Sequence, residues 1–131
     1  MIRPATQGDL PALVSMGLRF LEASPYASSL QRNPLAMHDT AALFVGDTEK
    51  VALVSERDGE LTGMILVCVF PHMLSGQRIA SEFCWWVEPD ARGSGLKLLQ
   101  AAEDWAPAHG AEALQMVAPT PDVERLYQKS L

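Results

Sequence analysis

The stretch from Glu82 to Trp105, EFCWWVEPDARGSGLKLLQAAEDW, limits the possible folds more than any other part of the chain. An apolar, β-favouring run from Glu82 to Val87 is halted at Pro89. A glycine-bearing turn follows, Arg92-Gly93-Ser94-Gly95, and a strongly helix-favouring segment begins. Glycines at a strand-to-helix junction allow a ligand close to the backbone. The unpaired N–H groups of the helix's first turn, aided by the helix dipole, then suit an anion. The segment therefore predicts a β-turn-α unit with a phosphate cradle at its junction. The alternative is that Gly93 and Gly95 only close a tight connection.

The rest of the chain sets the order of elements. A short opening strand precedes Thr6-x-x-Asp9, a capping arrangement, and Pro11 is tolerated in a first helical turn. Leu10, Leu13, Val14, Gly17, Leu18 and Leu21 recur at helical spacing. Asn33-Pro34 reads as the N-cap and first residue of a second helix reaching about Leu43. Asp58-Gly59 between two apolar runs, Val51 to Glu56 and Leu61 to Phe70, is a hairpin signal. A loop from Pro71 to Gln77 leads into a strand from Arg78 to Val87. The helix from Gly93 to about His109 ends at Gly110, a short strand spans Leu114 to Val117, and Thr120-Pro121 opens a last helix. The order β-α-α-β-β-β-α-β-α gives a single α/β domain, residues 1–131, with a mixed, mostly antiparallel sheet. A doubly wound dinucleotide fold would need more alternating βα units and an N-terminal phosphate loop.

Composition excludes several functions. The net charge of −6 argues against general nucleic-acid binding and is compatible with a cationic substrate. The densest apolar run, Met64 to Phe70, fits a buried strand and is too short to span a membrane. No signal peptide is recognisable, so a cytoplasmic location is expected. Cys68 and Cys84 both lie in strand-like runs, where a buried thiol is expected and a nucleophile is not. With no CxxC and no His/Cys cluster, no metal is expected.

Three segments together resemble the GCN5-related N-acetyltransferase (GNAT) family. Its acyl-CoA motif reads Gln/Arg-x-x-Gly-x-Gly/Ala. Arg92 and Gly95 match it, and Lys97 stands at the last position, where its ammonium would lie near the phosphates. Ile2-Arg3-Pro4-Ala5-Thr6 with the following helix is similar to the family's opening. Leu126-Tyr127 is similar to its C-terminal helix, in which a tyrosine often stands near the cofactor thiol. The family normally continues with Gly-Phe and further strands, which this sequence lacks, ending at Leu131. The resemblance implies a GNAT-like α/β sandwich without those terminal strands.

It also implies acetyl transfer from acetyl-CoA to a primary amine by direct attack. Such a reaction needs a base for the ammonium, a donor for the oxyanion and an acid for the departing thiolate. Glu82, among Phe83, Cys84, Trp85 and Trp86, is the candidate base, since desolvation raises a carboxylate's pKa. The alternative places Glu82 on a solvent face or paired with Arg78. Tyr127 is the candidate acid, or else a core tyrosine with its hydroxyl at the rim. Backbone groups of Trp86 and Val87 are expected along the acetyl and pantetheine portions, and the amides of Gly93, Ser94, Gly95, Leu96 and Lys97 at the pyrophosphate. Arg92 either adds charge there or is a solvated loop cation. Adjacent strand residues face opposite ways, so at most one of Trp85 and Trp86 points to the substrate. His72 is a further loop candidate, and His38 and His109 read as surface residues.

The region from Tyr26 to Phe44 and the Pro71–Gln77 loop are expected on the substrate side. The edge at Leu114–Val117 is expected to be covered by a second protomer or by the C-terminal helix. The alternative function is a non-catalytic acyl-CoA-binding or protein-interaction module on the same scaffold, with another phosphate ligand ranked last.

Overall fold

A computed structural model describes residues 1–25, 27–91 and 93–116 of the chain. Its centre is a five-stranded sheet in the order β1-β2-β3-β4-β5. The strands are Ile2–Pro4, Lys50–Arg57, Glu60–Pro71, Arg78–Val87 and Leu114–Gln115. The first four pair antiparallel, and β5 joins β4 in parallel. Helices α1 (Leu10–Ala23) and α2 (Pro34–Leu43) cover one face, and α3 (Ser94–Ala108) covers the other. This is the expected α/β arrangement through the last short strand. The predicted C-terminal helix lies outside the described residues.

Local chemistry accounts for the boundaries. Asp58 and Gly59, at φ of 54° and 81°, form the two-residue turn joining β2 and β3, with Arg57 opposite Glu60. The Asn33 side chain accepts the Ala36 N–H at 3.1 Å, and Pro34 fills the first position of α2. Gly110, at φ of 87°, ends α3, and the Ala111 N–H reaches back to the Ala106 carbonyl at 3.0 Å.

The run Met64 to Val69 is apolar throughout because both its faces are covered. Met64 and Leu66 pack with Leu10, Leu13, Met16 and Phe44. Ile65, Val67 and Val69 pack with Leu98, Ala102 and Ala106. The helical stripe of α1 omits Met16, which is only 1% exposed. A step of three from Leu13 reaches the same face as the step of four to Gly17.

The expected Thr6–Asp9 arrangement is present around a short 3₁₀ turn, Gln7–Asp9, ahead of α1. The Asp9 carboxylate accepts the Thr6 N–H at 2.8 Å and the Arg3 guanidinium at 2.8 Å. Arg3 also donates to Glu56 at 3.0 Å, so one cation ties β1 to the α1 entry and to β2. The Arg3 hydrogen bond, foremost, lowers the Asp9 pKa to about 2. A depressed carboxylate stabilises the fold at neutral pH and loses that contribution as pH falls through about 4 toward about 2. Asp9→Asn should therefore cost about 1 kcal/mol near pH 7, allowing for solvent screening. In urea titrations the gap between variant and parent should be narrower at about pH 2.5 than at pH 7.

Candidate active site

Strands β4 and β5 pair only at Ala80↔Leu114 and Ser81↔Gln115. Beyond Ser81, the β4 edge away from β3 has no strand partner among the described residues. That stretch of edge includes the backbone of Trp86 and Val87. A ligand with amide groups can add to such an edge as another strand would.

The same stretch contains a bulge. Leu66 faces Cys84 and Val67 faces Glu82, so Phe83 is the extra residue on β4. Its consequence is a change of side. Glu82 shares the α3 face with Val67 and Ala80, while Phe83 and Cys84 both border a cavity on the α1–α2 face. Glu82 is 3% exposed, so it is neither on a solvent face nor at the surface. Arg78, its suggested partner, is engaged by Glu49 at 3.1 Å and by the His109 carbonyl.

Burial, and then the neighbouring Glu82 carboxylate, push the Cys84 thiol far above its ordinary range. A thiol held protonated does not act as a nucleophile. Cys68 is likewise shifted upward by burial. The two cysteines are free, and register explains it: Cys68 lies opposite Ser81, not Cys84. Trp85 packs on the α3 side and Trp86 on the α1–α2 side, as strand alternation requires. The Trp86 indole N–H is buried without a hydrogen-bond partner among the described residues.

At the end of β4, the Glu88 N–H extends the ladder to the Thr62 carbonyl at 2.9 Å, and Glu88 holds Arg19 of α1 in an ion pair. The turn closes through Ala91 N–H to Glu88 and Ser94 N–H to Ala91, at 2.9 and 3.0 Å. Of the first-turn amides of α3, those of Gly95 and Leu96 have no carbonyl a full turn earlier within the helix. Lys97 is exposed there, and the first turn carries no acidic residue.

The glycines of this turn are not demanded by the backbone. Gly93 has φ of −65°, and a Cβ added to it would meet nothing within 4 Å. A Cβ on Gly95 would meet Val87 at 3.5 Å and Trp85 at 3.8 Å, which is ordinary contact. Neither turn geometry nor packing against the described residues requires glycine at 93, and the space beside it is open among those residues. Arg92 and Tyr127 lie outside the described residues.

His72 has a structural task. Its Nδ1 accepts the Leu74 and Ser75 N–H groups at 3.1 and 3.3 Å, which shapes the loop after β3. His38 and His109 are exposed, and His109 stacks on Trp105 with ring centroids 4.2 Å apart. Among the described residues no group of three potential metal ligands occurs, and no helix is long and apolar enough to cross a membrane.

Gly63, opposite Val87, was not singled out in the sequence, although a lone glycine in a strand signals close approach. A Cβ there would lie 2.9 Å from the Trp86 carbonyl and 3.0 Å from Leu98. It is what allows α3 to seat against the end of β4. Gly63→Ala should cost about 1–3 kcal/mol by overpacking, read as a lower urea midpoint.

The β4 edge beyond Ser81, the bulge at Phe83 and the α3 N-terminus thus lie along one stretch of chain. The family model described as Acetyltransferase (GNAT) family matches residues 18–131. The chain belongs to this acetyltransferase family. Solved structures with the same fold include a transcriptional regulator from Bacillus halodurans C-125, with 24% identity and a TM-score of 0.78 over 98% of this chain and 89% of that one. A predicted acetyltransferase with acetyl-CoA from Clostridium acetobutylicum has 18% identity and a TM-score of 0.78, over 98% and 88%. A ribosomal-protein-alanine N-acetyltransferase from Brucella melitensis biovar Abortus 2308 has 21% identity and a TM-score of 0.70, over 98% and 87%. No curated protein sequence matches the chain.

Proposed function

We propose that the protein transfers the acetyl group of acetyl-CoA to a primary amine by direct attack. The observation that carries this reading is the junction of β4 and α3. There Gly93, where an added Cβ would meet nothing within 4 Å, the first-turn amides of α3 and the exposed Lys97 follow the end of β4. On the edge away from β3, Trp86 and Val87 have no strand partner among the described residues. Amides and ammonium suit a pyrophosphate, and the β4 edge suits the amide-bearing pantetheine arm. Arg92 would add charge at the phosphates.

Glu82 is the proposed base. Its burial leaves no room for an amine against the carboxylate, so it takes the ammonium proton through an intervening water. The freed nitrogen lone pair attacks the thioester carbonyl carbon, the C–N bond forms and the C–S bond breaks. The departing sulfur gains a proton from the Tyr127 hydroxyl, the acid that the family resemblance suggests. The second proton lost by the nitrogen as the amide forms restores that hydroxyl, and Glu82 releases its proton to solvent. Amide, free thiol and one solvent proton result. The protonated Cys84 thiol supports direct attack over a thioester on the protein.

The test is thiol release from acetyl-CoA across a panel of primary amines. Amine-dependent thiol formation, with an N-acetylated product by mass spectrometry, is expected. Tight acetyl-CoA binding without turnover of any amine would instead favour a non-catalytic acyl-CoA-binding module.

A further inference from the structure

On the α1–α2 face of the sheet a cavity of about 290 Å³ opens beside the bulge. Phe20, Met37, Met64, Leu66 and Phe83 furnish its walls. Among the described residues no charged side chain lines it, and Cys84, the one titratable group there, is held neutral. The space exists because α1 carries glycine where it passes α2. A Cβ on Gly17 would meet the Met37 sulfur at 3.4 Å and the Met64 methyl at 4.0 Å, both on the cavity wall. Methionines adapt their shape to an occupant, and Phe83 is 55% exposed at the rim, edge-on to Phe44.

Size and chemistry limit that occupant. An apolar cavity of about 150 Å³ suffices for benzene, so this one holds a phenyl, an indole or a branched alkyl group. A polycation or a polyhydroxylated sugar would leave its polar groups unpaired there. The cavity also lies on the face opposite α3, whose N-terminus is the proposed phosphate end of the site. An acyl chain would travel with the cofactor from the α3 end, so a cavity on the opposite face suits the second substrate better.

We infer that this cavity selects the acceptor, as the seat of an aromatic or branched aliphatic substituent on the amine. The inference rests on the acetyltransferase reading for what happens at the nitrogen, but not for the binding of the substituent. The amine end then lies at the bulge, with Glu82 behind β4.

The test compares the parent protein with Gly17→Leu and Gly17→Ala. Leucine favours helix and directs its branch into the cavity, while alanine adds only a methyl. Phenethylamine, isopentylamine, spermidine and kanamycin serve as probes. Acetyl transfer is measured together with thermal-shift binding of each amine, which needs no turnover. The parent should acetylate phenethylamine with kcat/KM at least about tenfold above spermidine, a difference of about 1.4 kcal/mol. Gly17→Leu should raise the phenethylamine KM at least tenfold and abolish its thermal shift, with acetyl-CoA affinity unchanged and Gly17→Ala close to the parent. Preference for spermidine or kanamycin would overturn the inference. So would a Gly17→Leu block seen with hexanoyl-CoA but not with the amine, which would make the cavity an acyl pocket. If no amine is acetylated but phenethylamine still protects the parent and not Gly17→Leu, the acetyltransferase reading fails and the cavity assignment stands. No protection of the parent by either apolar amine would sink the cavity assignment itself.

Discussion

Glu82→Gln should lower kcat by about 10² to 10⁴-fold, the range that general base catalysis contributes, while leaving acetyl-CoA affinity within about twofold of the parent. Glutamine keeps the shape of the side chain and removes the proposed acceptor of the ammonium proton. The residue is buried on the α3 face beside the bulge, and the proposed role is proton transfer along the β4 edge. Loss of the base should also flatten the acidic limb of the kcat/KM–pH profile, because that limb records protonation of the base in the free enzyme. A variant that keeps the parent's kcat and pH profile would assign Glu82 a purely structural role. One that loses acetyl-CoA binding would place it against the cofactor instead. Thermal unfolding of parent and variant separates either result from simple loss of fold.

Gly95→Leu should weaken acetyl-CoA binding by at least about tenfold, whereas Gly95→Ala should remain close to the parent. The distances decide the contrast. A methyl at Gly95 reaches Val87 and Trp85 at ordinary van der Waals separation, so alanine fits. The two further carbons beyond the leucine Cγ must displace one of those side chains or lever the first turn of α3 away from β4. Either movement separates the first-turn amides from the strand edge, and the two halves of the proposed site no longer meet. Overpacking of this kind also costs about 1–3 kcal/mol, so binding is best measured by calorimetry well below the variant's melting temperature. Equal affinity of the parent and Gly95→Leu would remove the α3 N-terminus from the cofactor site.

The two predictions draw on different degrees of legibility in the sequence. The β-turn-α unit is plain because its parts are local: an apolar run, Pro89, paired glycines and a helical segment ended by Gly110. The Asp58-Gly59 hairpin and the Asn33-Pro34 helix start are plain for the same reason, since each rests on the chemistry of two adjacent residues. The bulge at Phe83 is not legible. Phe83, Cys84, Trp85 and Trp86 all favour strand, and nothing in their order says which residue is unpaired; only the register against Leu66 and Val67 does. The side of the sheet on which Glu82 lies depends on that register, so a catalytic assignment from sequence names the residue without its surroundings. The cavity is less legible still. Its walls come from α1, α2, β3 and β4, and its opening depends on Gly17, which reads in the sequence as one more position of an apolar stripe. Met16 shows the reverse error of the same kind, a buried residue left out of the stripe because helical spacing admits steps of three as well as four.

The account rests most directly on the cofactor, and the decisive measurement is calorimetric titration of the unaltered protein with acetyl-CoA, with CoA and ATP titrated in parallel. Binding of acetyl-CoA in the micromolar range, shared by CoA and far weaker for ATP, is the predicted result. It would show that the α3 N-terminus and the β4 edge act together on phosphates and pantetheine. No heat from either CoA species, or ATP binding as tightly as acetyl-CoA, would contradict the account.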